Sequence, residues 1–259
     1  YIDLLDSRLY QFYLKNPAAL EEQIRANPKI QTIIIDEVQK VPELLDQIHR
    51  LIERYQNTQF VLCGSSARRL KSTGANLLGG RAWRYLFVPF CYPELKILDW
   101  KKIFNHGLIP NHYLAKSSIQ KYLAAYLFDY ILPEVQFEAN LRKKGYFSKF
   151  LEALGPSHGE LINYTNIARD CGIDAKTVRS YFEILEDMYL GYYVNPYTSK
   201  NTKRQIIQQT QKFYLFDTGL ANYLRKFEFV DMIGDEAGKA FEHYIFLELM
   251  AYRLLCEQR

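Results

Sequence analysis

The 259 residues hold only four cysteines, at positions 63, 91, 171 and 256, and none is in CxxC spacing. That scatter excludes a disulfide framework and a cysteine zinc site, and reduced thiols in a cytoplasmic protein are the expectation. The five histidines form no i, i+4 pair, so no metal is assigned to them. No apolar run approaches the ~20 residues that a membrane helix needs, which leaves the membrane out of the expected partners. Acidic residues are missing from two stretches. Arg54 to Pro93 carries Arg54, Arg68, Arg69, Lys71, Arg81 and Arg84 with no acid, and Met188 to Phe216 carries Lys200, Lys203, Arg204 and Lys212 with none.

What is present describes a globular chain: 48% hydrophobic residues, 24% charged, and a formal net charge of +4 that is only mildly favourable to a polyanion. YIDLL at 1–5 reads as a short strand, followed by Asp6-Ser7 as a helix cap and by helix over 8–26, broken at Asn16-Pro17. Residues 31–35 are a buried strand by their β-branched content. Pro42 opens a helix with Leu44, Leu45, Ile48, Leu51 and Ile52 at helical spacing. Phe60 to Cys63 and Trp83 to Val88 are read as further strands. Strands alternating with helices predict a parallel sheet with its active groups at the strands' carboxyl ends. Beyond Tyr92 the pattern becomes helical, with helices over Ile119–Val135 and Tyr146–Leu154.

Ile33-Ile34-Ile35 runs straight into Asp36 and Glu37. A strand-terminal Asp can hold Mg²⁺ through water, and the next Glu can polarise an attacking water. A solvated strand end is the plainer reading of the same pair. The next strand, however, delivers Ser65 and Ser66 at its carboxyl end, where such enzymes orient water. Arg68, Arg69 and Arg81 add cations for that site or for a neighbouring subunit's.

The stretches IIIDEVQKVPELLDQI, FVLCGSSARRL and NLLGGRAWRYLFVPFCYPEL resemble the prokaryotic AAA-type ATPases that carry a C-terminal domain of unknown function. GELINYTNIARDCGIDAKTVRSYFEILEDMYL, KRQIIQQTQKFYLFDTGLANYL and GKAFEHYIFLEL extend the resemblance over nearly the whole chain. It implies ATP and Mg²⁺ as cofactors, with Asp36 serving the metal and Glu37 as the base. Ser65 or Ser66 would be the sensor, Arg68 and Arg69 nucleotide-site cations, and Arg81 the candidate finger. No G-x-x-x-x-G-K-[ST] occurs in the 259 residues. The resemblance places the first strand, phosphate loop and catalytic lysine before Tyr1, so these residues by themselves are expected to bind ATP poorly. The missing strand is expected to leave about two strand spacings, ~9 to 10 Å, between the strands at 59–64 and 83–88.

Leu161 to Cys171, a turn at Gly172 and a helix over Asp174–Met188 form a helix-turn-helix pattern. Asp174 is the cap and Val178, Phe182 and Leu185 the inner stripe. Leu190–Val194 and Lys212–Phe216 would be the strands of a wing. Lys176, Thr177 and Arg179 would face a major groove, with Lys203 and Arg204 on the wing. Glu183, Glu186 and Asp187 on the same helix suit a packing or protein-contact module instead. The family resemblance puts Glu242 at the first acidic position of a nuclease-like segment that these residues do not complete, and a structural role is expected for it. Tyr122, Tyr126 and Tyr130 are expected in the core.

The expected fold is thus an α/β P-loop NTPase-like parallel sheet followed by a mainly helical region with a winged helix. Its divisions are an ATPase core at 1–95, a helical linker at 96–155, a winged helix at 156–220 and a nuclease-like start at 221–259. The expected function is ATP binding, with ATPase activity in the full-length protein coupled to the winged helix. The other reading is a non-catalytic DNA- or protein-binding regulator on a degenerate ATPase scaffold. Expected partners are ATP, DNA, and a protein partner or second copy.

Overall fold

A computed structural model of the protein describes residues 1–64, 81–83, 85–138, 144–197 and 210–256. They fall into two compact units, Tyr1–Arg84 and Tyr85–Arg259.

The first unit is a parallel sheet in the order β1 (Ile2–Asp3), β2 (Thr32–Asp36), β3 (Gln59–Leu62). The β-branched run of β2 makes it the central strand, with Ile33 and Ile35 buried. Helices α1 (Ser7–Lys15) and α2 (Ala19–Ala26) connect β1 to β2. They are separated at Asn16-Pro17 because the ring of Pro17 excludes helical backbone at the residue before it. Asp6 caps α1, its carboxylate accepting from the Arg8 N–H at 2.8 Å. Helix α3 (Glu43–Arg54) returns the chain to β3 and buries Leu44, Leu45, Ile48 and Leu51. Each such side chain contributes about 1.5–3 kcal/mol when withdrawn from water.

The strand expected over Trp83–Val88 is not formed. Residues 83 and 85–88 lie outside any strand, and Trp83, Tyr85 and Phe87 are 88%, 61% and 102% exposed. Aromatic and β-branched content favours a strand only where a neighbouring strand pairs with it, and none does among the described residues. The spacing expected between this strand and the one at 59–64 therefore has no second strand to be measured from.

The second unit is mainly helical: α4 (Trp100–His106), α5 (Pro110–Tyr113), α6 (Ile119–Ala125), a π-helical segment (Tyr126–Ile131), α7 (Leu132–Glu138), α8 (Lys144–Ser157), α9 (Tyr164–Cys171), α10 (Ala175–Asp187), α11 (Thr218–Leu224) and α12 (Asp235–Cys256). Strands β4 (Gly191–Val194) and β5 (Lys212–Leu215) pair as an antiparallel ribbon between α10 and α11. The expectation for the tyrosines holds for Tyr126, which packs against the core, and fails for the other two. Tyr122 and Tyr130 are about half exposed, and Tyr126 stacks on Tyr130 with centroids 5.3 Å apart. The i→i+5 turn that begins at Tyr126 moves Tyr130 off the face that strict 3.6 spacing assigns to the core. Phe241 to His243 lie inside α12.

A buried polar clamp ties α4 to α11. The Thr218 hydroxyl donates to the Ile103 carbonyl at 2.6 Å, and Asn222 Nδ2 donates to the Phe104 carbonyl at 3.0 Å. Asn222 thereby satisfies a carbonyl that the C-terminus of α4 leaves unpaired, while the Ile103 carbonyl also accepts the Gly107 N–H at 3.1 Å. In return, the fully buried Asp217 caps α11 through the Leu220 N–H at 2.9 Å and accepts the Leu108 N–H at 2.6 Å. Gly107 is obligatory at this approach. Its φ is +78°, and a Cβ there would lie 2.1 Å from Asp217 Oδ1.

Candidate functional site

The parallel register sets three strand ends side by side. Asp3 faces Asp36, Ile35 faces Leu62, and Cys63 follows with its N–H donating to the Ile35 carbonyl at 2.9 Å. Asp36 and Glu37 therefore stand at the carboxyl edge of the sheet, on its central strand, where a doubly wound architecture places its ligands. Glu37 leaves the strand in the left-handed region, φ 56° and ψ 39°, and opens a 3₁₀ turn over Val38–Lys40. For a non-glycine residue that conformation costs roughly 1–2 kcal/mol, and backbone strain of this kind gathers at functional sites.

Several contacts maintain it. The Val38 N–H donates to the Cys63 carbonyl at 3.1 Å, tying the turn to the end of β3. The Glu37 N–H donates to Asp36 Oδ1 at 3.1 Å. Gln39, only 6% exposed, donates through Nε2 to Glu37 Oε2 at 2.6 Å and so fixes the direction of that carboxylate. Gly64 makes room for Gln39, since a Cβ at position 64 would lie 2.4 Å from Gln39 Oε1. Lys40 reaches back to the Leu4 carbonyl at 3.4 Å and lies 5.7 Å from the Tyr10 ring centroid. The Tyr1 hydroxyl donates to Asp36 Oδ2 at 2.6 Å, and that bond pushes the phenol up to about 12. Burial, then the charges of Asp36 and Glu37, push the Cys63 thiol up, so it is not poised as a nucleophile.

Asp36 and Glu37 are thus brought together. Ser65, Ser66, Arg68 and Arg69 lie outside the described residues. Arg81 is held on α3, with Nη1 3.0 Å from His49 Nε2 and Nη2 donating to Glu53 Oε1 at 2.7 Å. Its contacts are with that helix and not with the two acids. Sequence reasoning missed Gln39, Gly64 and Tyr1. The polar residue two positions after Glu37 was the available signal for Gln39.

In the second unit, Asn163 caps α9 and Gly172, at φ 68°, turns the chain into α10. Asp174 caps α10, accepting from the Thr177 N–H at 2.9 Å and the Thr177 hydroxyl at 2.6 Å. The bonds from Thr177 hold the Asp174 carboxyl below the ordinary range. Val178, Phe182 and Leu185 are buried, while Lys176 and Arg179 are exposed. The Arg179 guanidinium lies 4.8 Å above the Tyr164 ring, a cation–π contact that presets its direction. Thr177 is committed to the cap. Lys203 and Arg204 lie outside the described residues.

Comparison with known proteins also divides the chain in two, at 96/97 where the compact units divide at 84/85. The model of a domain of unknown function, DUF8612, matches residues 97–231, just over half of the chain. The chain belongs to this DUF8612 family. An AAA domain model matches residues 1–96 and marks the first part as an AAA-type, P-loop ATPase-like domain. An uncharacterized protein of Haemophilus influenzae is 21% identical over 249 residues, covering 89% of this chain and 60% of its own length. Uncharacterized proteins of Mycobacterium bovis and Mycobacterium tuberculosis are each 25% identical over 199 residues, covering 74% of this chain and 44% of their own. The chain thus spans between 44% and 60% of the length of these relatives. No solved structure matches it. Among the described residues, no helix is long and apolar enough to cross a membrane.

Proposed function

We propose that the full-length protein is an ATPase in which Asp36 and Glu37 act on Mg²⁺ and water, and that its nucleotide state is coupled to a winged-helix module at 156–220. The observation that supports it best is the Asp36–Glu37 pair at the carboxyl end of the central strand of an AAA-type domain, with Gln39 orienting Glu37. Oxygen donors are the right class for a hard cation, so this edge fits Mg²⁺. Phosphate binding needs backbone amides and a lysine that no motif in the 259 residues provides. The reading therefore rests on a phosphate loop supplied outside them. When bound, Mg²⁺ neutralises charge building on the phosphates.

Within this reading Asp36 would hold the metal through water, giving up its bond to Tyr1. Glu37 accepts the proton of the attacking water. Ser65 or Ser66 holds that water, while Arg68 and Arg69 add positive charge. Arg81 serves a neighbouring copy once it exchanges its bonds to His49 and Glu53. Lys176 and Arg179, exposed on α10, would be the residues that touch DNA in this reading, with Lys203 and Arg204 as further phosphate contacts. The test is Mg²⁺-dependent binding of a fluorescent ATP analogue to the full-length protein. Asp36→Asn is expected to weaken binding at least tenfold in Mg²⁺ and little in EDTA. An Asp36→Asn variant with the parent's Mg²⁺ dependence would remove the acids from the site and favour the regulator reading.

A further inference from the structure

Leu215 closes a ring with two imidazoles in the second unit. Its N–H donates to His158 Nδ1 at 3.3 Å, His158 Nε2 lies 3.1 Å from His243 Nδ1, and His243 Nε2 lies 2.6 Å from the Leu215 carbonyl oxygen. The hydrogens in this ring can be counted. An amide N–H only donates and a carbonyl only accepts. His158 Nδ1 must therefore be bare, its Nε2–H must donate to His243 Nδ1, and His243 Nε2–H must donate to the carbonyl. The three contacts take three hydrogens, one from the amide and one from each neutral ring. A fourth hydrogen on either ring sets two hydrogens against each other in one contact. Neither ring keeps a free nitrogen for a substrate, so the pair is no acid–base dyad.

We propose that His158 and His243 form an acid-sensitive latch holding α12 on β5, and that uptake of one proton by the pair loosens the helix. The three partners come from three elements. His158 follows α8, Leu215 ends β5, and His243 sits in the first half of α12. Apolar contacts, such as Phe246 stacked on Tyr214 at 4.7 Å, hold α12 at any pH. The ring adds a bond set that exists only for neutral histidines.

The surroundings oppose a charge on the rings. His243 is 3% exposed, and the pair borders a pocket of about 100 Å³. Charged groups reach it from each neighbouring element. Lys212 on β5 is paired with Glu242 of α12 at 2.8 Å, and the Tyr214 phenol donates to the same Glu242. Lys239 of α12 is paired with Glu160 at 2.7 Å. Arg225, next to α11 and bonded to Glu236, repels a proton on either ring. Burial is the largest influence, pushing His158 well down and His243 to about 4. Both folded values lie below the unfolded value of ~6.5. The latch is therefore complete above about pH 6.5 and is lost as pH falls from there toward about 4, by up to about tenfold per pH unit per histidine.

The test is made on the full-length protein by NMR of the imidazole nitrogens and by hydrogen exchange of α12, corrected for intrinsic exchange. Both rings are expected as Nε2–H tautomers at pH 7.5. The opening equilibrium of α12 should rise steeply from pH 6.5 to 4.5 and stay nearly flat in His158→Gln/His243→Gln, whose amides take up no proton. An Nδ1–H tautomer at pH 7.5, or a doubly protonated ring at pH 5 with α12 still fully protected, would overturn the latch. If the double variant does not fold, the tautomers and titration of the parent decide.

Discussion

Gln39 and Asp217 each hold a functional or structural group through contacts that burial makes strong. Gln39 donates to Glu37, and a carboxylate in its place would face Glu37 across a contact of 2.6 Å. Two carboxylates that close cannot both ionise easily, so Glu37, the base on the proposed reading, would hold its proton to higher pH. In the full-length protein, Gln39→Glu should move the acid limb of the kcat/KM profile for ATP up by about one pH unit or more. An unmoved limb, with Glu37→Gln still inactive, would mean that Gln39 only packs. Asp217 accepts the amides of Leu108, Ile109 and Leu220 in a fully buried setting. Burial pushes its carboxyl up, and those amides pull it back. Asp217→Ala orphans all three, and urea unfolding should show a loss of roughly 2–4 kcal/mol. A loss under about 0.5 kcal/mol would mean that the clamp is not a main support of the unit.

At the scale of elements, α10 joins a buried stripe to an exposed basic end. On the DNA-binding reading, Lys176→Ala with Arg179→Ala should weaken that binding and lower the slope of log K against log salt by about 1.5 to 2, since each phosphate contact contributes about 0.9. Affinity equal to the parent's at several salt concentrations would leave α10 a packing element. This helix was legible in the sequence because its signals are local: an Asp cap, a Gly turn and an apolar stripe at helical spacing. β2 and α3 were legible for the same reason. The segment at 83–88 misled because strand formation is a pairwise property, and aromatic alternation says nothing about whether a neighbour is present. The π segment at Tyr126–Ile131 was invisible because no residue type in it marks the extra residue of the turn. Gln39 was missed because its role comes from burial against Gly64, a contact between two loops.

At the scale of the molecule, the chain joins an AAA-type domain to a mainly helical family domain in which a helix-turn-helix leads into a ribbon. The acids at the sheet edge were readable from three isoleucines and a carboxylate pair. The phosphate-binding half of the site has no counterpart in the 259 residues, so the claim of hydrolysis rests on how Asp36 and Glu37 divide their work. The measurement that separates them is phosphate release from ATP alongside nucleotide affinity in full-length Glu37→Gln. An amide keeps the size and polarity of the side chain but accepts no proton from water, so affinity should stay within about threefold while turnover falls by about 10²–10⁴. Turnover equal to the parent's would contradict the assignment of Glu37 as the base, and with it the account of this edge as a hydrolytic site.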